Sequence, residues 1–157
     1  MKLSIGIPAK NLDRAAALLT SILSDQMVLY VKTRNFHWNV SGESFMELHK
    51  LFEGQYNELE QSIDEVAERI GKLGRNTIGT MKEFTQHSRL KETPGSYPAQ
   101  KDMLKQLLAD HESLITQLRA DVDECADKLK DAGTADFLTG LMEKHETMAW
   151  VLRRYLN

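Results

Sequence analysis

Apolar residues recur at steps of three and four along almost the whole chain. Leu12, Ala16, Leu19, Leu23, Met27 and Tyr30 trace one stripe, which continues past Arg34 to His37. That period matches 3.6 residues per turn and predicts an amphipathic helix with one face in a core. Pro8 suits its first turn, where a missing N–H costs nothing. Asn39, Ser41 and Gly42 break it just after His37-Trp38. A second stripe of Phe45, Leu48, Phe52, Tyr56, Leu59, Ile63, Val66, Ile70 and Leu73 predicts a helix over about 44–73. A third helix starts at Pro98 and carries Leu104, Leu108, His111, Ile115, Leu118, Val122, Cys125 and Leu129. Asp131-Ala132-Gly133 ends it, with glycine in the usual C-terminal position. Thr134 then caps a fourth helix bearing Leu138, Leu141, His145, Met148, Leu152 and Tyr155. His111 and His145 therefore read as core or interface histidines, Met27 and Met148 as packing, and Cys125 as a buried, inert thiol.

Between the second and third helices lies a long connection, about 75–97, punctuated by Asn76, Gly79, Pro94 and Gly95. Within it, Thr80 to His87 predicts a short helix with Thr80 as N-cap and His87 exposed. Such a connection favours a bundle with a crossover between these helices over a simple up-down-up-down bundle, which would use a short turn there.

The polar residues of the second helix carry the chemistry. At about 100° per residue His49, Glu53, Asp64 and Glu68 fall on one flank of the apolar stripe, and Ala67 and Gly71 leave room there for another backbone. His49 and Asp64 are nevertheless fifteen residues apart, roughly 22 Å along a helix. No single ion touches both, because ligand distances are about 2 Å. One helix thus holds two half-sites, His49 with Glu53 and Asp64 with Glu68. A second copy, antiparallel across a two-fold axis near Glu58, brings each half-site against its complement. A tight turn between the first two helices adds His37 to the first half-site. Imidazole with carboxylate suits Fe, Mn, Co and Zn.

The order His37-Trp38, His49, Glu53, then Asp64 and Glu68 resembles the Dps proteins (DNA-binding proteins from starved cells), which are ferritin-like mini-ferritins. The resemblance extends through Ala67-Glu68-Arg69-Ile70, Thr134-Ala135-Asp136 and Trp150, nearly the whole chain. It implies an all-α, ferritin-like four-helix bundle, with the long crossover and its short helix between the second and third long helices. It also implies a ferroxidase centre straddling a subunit interface, with His37, His49 and Glu53 from one subunit and Asp64 and Glu68 from its partner. Glu53 stands where relatives often carry Asp, so that ligand reaches about one bond length further. The centre inside one bundle, built in larger ferritins from Glu-x-x-His motifs, is absent, because no glutamate here is followed three residues later by histidine.

By the same resemblance, the protein oxidises Fe(II), preferably with hydrogen peroxide and otherwise with dioxygen. Ferric mineral is then stored inside a hollow dodecamer built from two-fold dimers, protecting against oxidative damage. Zinc or another divalent metal would substitute at the centre. Trp38 matches a tryptophan near the centre that intercepts stray oxidising equivalents, and Asp136, with Glu146 further along, matches residues lining iron-attracting pores.

Composition narrows the picture. The chain of 157 residues reads as one domain, with 1–7 a short tail. A net charge of −3 gives no general affinity for polyanions. Lys2 and Lys10 are the only cations before Asn11, and no basic extension follows Arg153-Arg154, so direct DNA binding is not expected. The rival reading is a nucleoid-structuring DNA-binding protein with little iron chemistry. A lone Cys125 and no stretch of the ~20 apolar residues a membrane span needs point to the cytoplasm.

Overall fold

A computed structural model describes residues 3–157, and among these every regular element is helical. The helices are α1 (Ala9–Asn39), α2 (Phe45–Lys72), α3 (Met81–His87), α4 (Gln100–Asp123) and α5 (Ala132–Leu156), with a π-helical turn at Glu124–Lys128 prolonging α4. α1 pairs with α2, α4 with α5, and α3 lies on α1. This is the expected four-helix bundle of two hairpins joined by a crossover that carries a short helix. No helix of the described residues is long and apolar enough to cross a membrane. Met1 and Lys2, part of the expected tail, lie outside the described residues.

The crossover is fastened locally and then to α1. Thr80 and Glu83 form a capping box: the Glu83 N–H donates to Thr80 Oγ1 at 3.3 Å and the Thr80 N–H to Glu83 Oε2 at 3.0 Å. Phe84 then buries in the core. Beyond α3, the Asp25 carboxylate, buried on α1, accepts from the Ser88 hydroxyl, the Arg89 backbone and the Arg89 guanidinium.

Three expected boundaries differ. Pro8 is the N-cap of α1 instead of a first-turn residue, and α4 begins at Gln100, with Ala99 as its N-cap and Pro98 outside the helix. At the α4–α5 junction, Gly133 does not terminate α4 and Thr134 does not cap α5. The chain turns at Lys130 (φ 55°), and Asp131 caps α5, its Oδ1 accepting from the Thr134 N–H at 2.9 Å. The reason is a knot of three residues, the buried Asp131 and Thr134 with the half-buried Arg69. Thr134 Oγ1 donates to Asp131 Oδ2 at 2.5 Å and accepts from Arg69 Nη2 at 2.9 Å, while Arg69 Nη2 also reaches Asp131 Oδ1 at 3.4 Å. Gly133 lets this guanidinium pass, since a Cβ there would stand 3.0 Å from Arg69 Nη2.

The core divides in two. One cluster joins Leu12–Leu23, Val66–Leu73, Leu118–Leu129 and Ala135–Met142; the other joins Leu29–Val40, Leu48–Leu59, Met103–Leu114 and Met148 with Leu152. Each long helix also buries a polar side chain: Gln26, Ser62, His111 and His145. Gln26 Nε2–H donates to His145 Nε2 at 3.1 Å, so His145 carries its proton on Nδ1 and donates it to His111 Nδ1 at 2.9 Å. His111 Nε2, Gln26 Oε1 and Ser62 Oγ are buried without a hydrogen-bond partner among the described residues. Burial holds both imidazoles neutral: it pushes His145 down to about 4 and His111 well below the usual histidine range.

Candidate metal centre

The last turn of α1 and the first turns of α2 bring His37 and His49 together. Residues 40–44 reverse the chain tightly, with Val40 buried against the core. The two imidazoles stack with centroids 3.7 Å apart and planes 18° from parallel. Their hydrogen bonds are reciprocal: His37 Nδ1 lies 2.7 Å from the His49 carbonyl oxygen, and His49 Nδ1 lies 2.9 Å from the His37 carbonyl oxygen. A carbonyl oxygen only accepts, so each Nδ1 carries the proton and each Nε2 is left with a lone pair. Such a backbone partner on the second ring nitrogen is the usual support of a metal-binding histidine.

Aromatic side chains surround the pair. Phe45 lies 5.2 Å from the His49 ring, and Tyr56 meets the His37 ring at 79° with centroids 5.2 Å apart. The Arg34 guanidinium lies over Tyr56, Trp38 and Tyr30 at 4.5, 5.4 and 5.5 Å. Trp38 is 63% exposed. Sequence reasoning placed Tyr30 and Tyr56 only on apolar stripes and gave Arg34 no role. The available signal was helical spacing: Tyr30, Arg34 and Trp38 follow one another at steps of four, with His37 three beyond Arg34.

The carboxylates stand apart from the imidazoles within one chain. Glu53, Asp64 and Glu68 are exposed on α2, and Glu68 holds only a loose contact with Lys72 at 3.4 Å. Neighbouring Glu58 and Glu65 are instead tied to Lys144 of α5, at 3.2 and 3.1 Å. Asp64 borders an open groove lined by Met27, Tyr30, Ile63 and Ala67. Among the described residues no three His, Cys, Asp or Glu side chains stand close enough to hold one ion. The structure thus joins His37 to His49 and leaves Asp64 and Glu68 on a separate stretch of the same helix.

Of the candidate pore residues, Asp136 is exposed near the start of α5, and Glu146 is ion-paired with Arg119 at 2.6 Å. His87 is exposed. Cys125 is fully buried in the π turn, where desolvation pushes its thiol up to about 12.

Comparison with known proteins bears on this arrangement. The family model described as the ferritin-like domain matches residues 16–157. A low temperature-induced protein of Nostoc sp. is 44% identical over 156 residues, covering 99% of this chain and 87% of its own. DNA protection during starvation protein 2 of Bacillus anthracis is 36% identical over 140 residues, 89% of this chain and 94% of that one. Among solved structures, a Dps protein from Vibrio cholerae O1 superposes with a TM-score of 0.91 at 26% identity, covering 99% of this chain and all of that one. Its description places it in a broad superfamily of ferritin-like diiron-carboxylate proteins. A shared fold alone would not carry the assignment, but extended sequence identity accompanies it here. The chain belongs to the Dps family of ferritin-like proteins.

Proposed function

We propose that two copies of this chain, antiparallel across a two-fold axis, complete two equal iron-oxidising centres. In each, His37, His49 and Glu53 of one protomer face Asp64 and Glu68 of its partner. The observation that carries this reading is the reciprocal pair of Nδ1 hydrogen bonds, which leaves both Nε2 atoms free for a metal. Two further features support it. Among the described residues Asp64 and Glu68 have no strong partner, and Asp64 rims a partly apolar groove that a second copy would fill.

Fe(II) is the substrate. Two ions each give up one electron; one hydrogen peroxide accepts both, its O–O bond breaks, and with two protons it becomes two waters. Carboxylates stabilise the ferric product more than the ferrous reactant, which favours electron loss. Hydrolysis of the ferric ions then yields mineral and protons. Dimers assemble further into a hollow dodecamer that keeps the mineral inside, with Asp136 drawing cations toward its pores. Iron storage and protection against oxidative damage follow from removing Fe(II) and peroxide together.

The direct test is anaerobic Fe(II) loading followed by peroxide, monitored by ferric absorbance. His37→Ala with His49→Ala should slow oxidation at least tenfold, in line with lost metal ligands, while the oligomer still elutes at its wild-type size. Wild-type oxidation rates in that variant would remove His37 and His49 from the centre.

A further inference from the structure

We propose that Tyr56, backed by Arg34, is a positioning residue of the metal centre: it fixes where the His37 ring sits within its plane and thereby the direction of its free Nε2. The inference rests on the proposed role of His37 as a metal ligand.

Three contacts act on the His37 ring. The stack on His49 sets its tilt, and the Nδ1–H bond to the His49 carbonyl selects one of the two flipped orientations of the imidazole. Neither blocks the free edge of the ring from pivoting in its plane about the Nδ1–H bond. The Tyr56 ring, nearly perpendicular at 79° and 5.2 Å away, does so. Tyr56 can serve as a stop because it is itself fixed. It is 9% exposed, its ring meets that of Tyr30 edge to face at 6.2 Å, and the Arg34 guanidinium lies 4.5 Å from its centroid.

Arg34 is suited to this task by what it does not do. Among the described residues it has no carboxylate within ion-pairing distance; one N–H donates to the Tyr30 hydroxyl at 2.7 Å, and its plane is shared by three aromatic rings. A guanidinium bound to rings instead of an acid acts as a packing plate. Since the Tyr56 ring makes these contacts, phenylalanine should replace it and leucine should not.

Co(II) is a suitable probe, because its visible absorption band reports ligand orientation whether or not iron is oxidised. In the assembled protein, Tyr56→Leu should shift that band and weaken Co(II) binding about tenfold, the scale of lost outer-sphere support. Tyr56→Phe should restore both. A loss of packing alone would lower the melting temperature without moving the band. Wild-type band and affinity in Tyr56→Leu would overturn the proposal. If Tyr56→Leu fails to assemble, Arg34→Met decides, with a shifted band expected and an unshifted one overturning it. A wild-type protein that binds no Co(II), or whose band survives His37→Ala, would instead overturn the metal reading itself, so the two failures are distinguishable.

Discussion

His37 and His49 show how much a candidate ligand depends on groups placed away from its coordinating atom. Each imidazole uses one nitrogen to hold itself in place and leaves the other with a free lone pair, as the proposed coordination requires. The two residues themselves were legible in the sequence, because a helix break at Asn39–Gly42 forces a tight hairpin and so brings them together. Their packing shell was not: Tyr56 and Phe45 sit on the same apolar stripe as ordinary core residues, and only coordinates distinguish a ring packed on imidazole from one packed on leucine. Gln26 was hidden for a similar reason. It lies beside the stripe that ran through Leu23 and Met27, and its partner His145 is 119 residues away.

That buried pair yields a pH dependence of known sign. In the unfolded chain a histidine takes up a proton near pH 6.5. In the folded bundle burial keeps His145 neutral down to about 4, and burial likewise holds His111 well below the usual histidine range. Between those limits the unfolded state binds more protons, so stability is full above pH 6.5 and falls as the medium is acidified. Each histidine contributes at most about 1.4 kcal/mol per pH unit to that slope. Thermal melting from pH 7.5 down to pH 5 should therefore show a falling midpoint. The slope should be shallower in His145→Gln, and an equal slope in that variant would assign the acid sensitivity to other groups.

At the scale of elements, the four long helices were readable because their apolar period persists for many turns, and the short helix because its Thr80–Glu83 box is local. The α4–α5 junction was misread. Gly133 resembles a helix terminator, but Asp131 gains a capping bond and a guanidinium partner, and Arg69 lies 62 residues away in sequence. No local pattern announces such a partner, and the π turn at Glu124–Lys128 likewise breaks the period without a glycine or proline to mark it. Asp131→Ala would remove the cap and leave the Arg69 charge partly uncompensated, so it should cost about 1–3 kcal/mol. Chemical denaturation would show this as a lower midpoint with an unchanged slope. An unaffected midpoint would mean that the Arg69–Thr134 contact alone holds the junction.

At the scale of the whole molecule, the proposed function turns on the division of the candidate ligands between two stretches of α2. His49 and Asp64 lie fifteen residues apart on α2, roughly 22 Å along a helix, so in the proposed reading one chain leaves the centre open and a two-fold pair closes two. On that proposal, oligomerisation is part of catalysis as well as of storage. The spacing along one helix was visible from the start, whereas the axis that joins two helices is a property of surfaces.

Mixed assembly tests this most directly. Subunits carrying His37→Ala with His49→Ala are unfolded and refolded together with subunits carrying Asp64→Ala with Glu68→Ala, at equal amounts, and peroxide-driven Fe(II) oxidation is measured. Each variant alone has no complete centre, but half of randomly paired dimers combine the two, and each of those regains one centre of two. The account predicts recovery of about one quarter of the wild-type rate, as two-fold pairing of shared sites requires. A mixture no more active than either variant alone would contradict it.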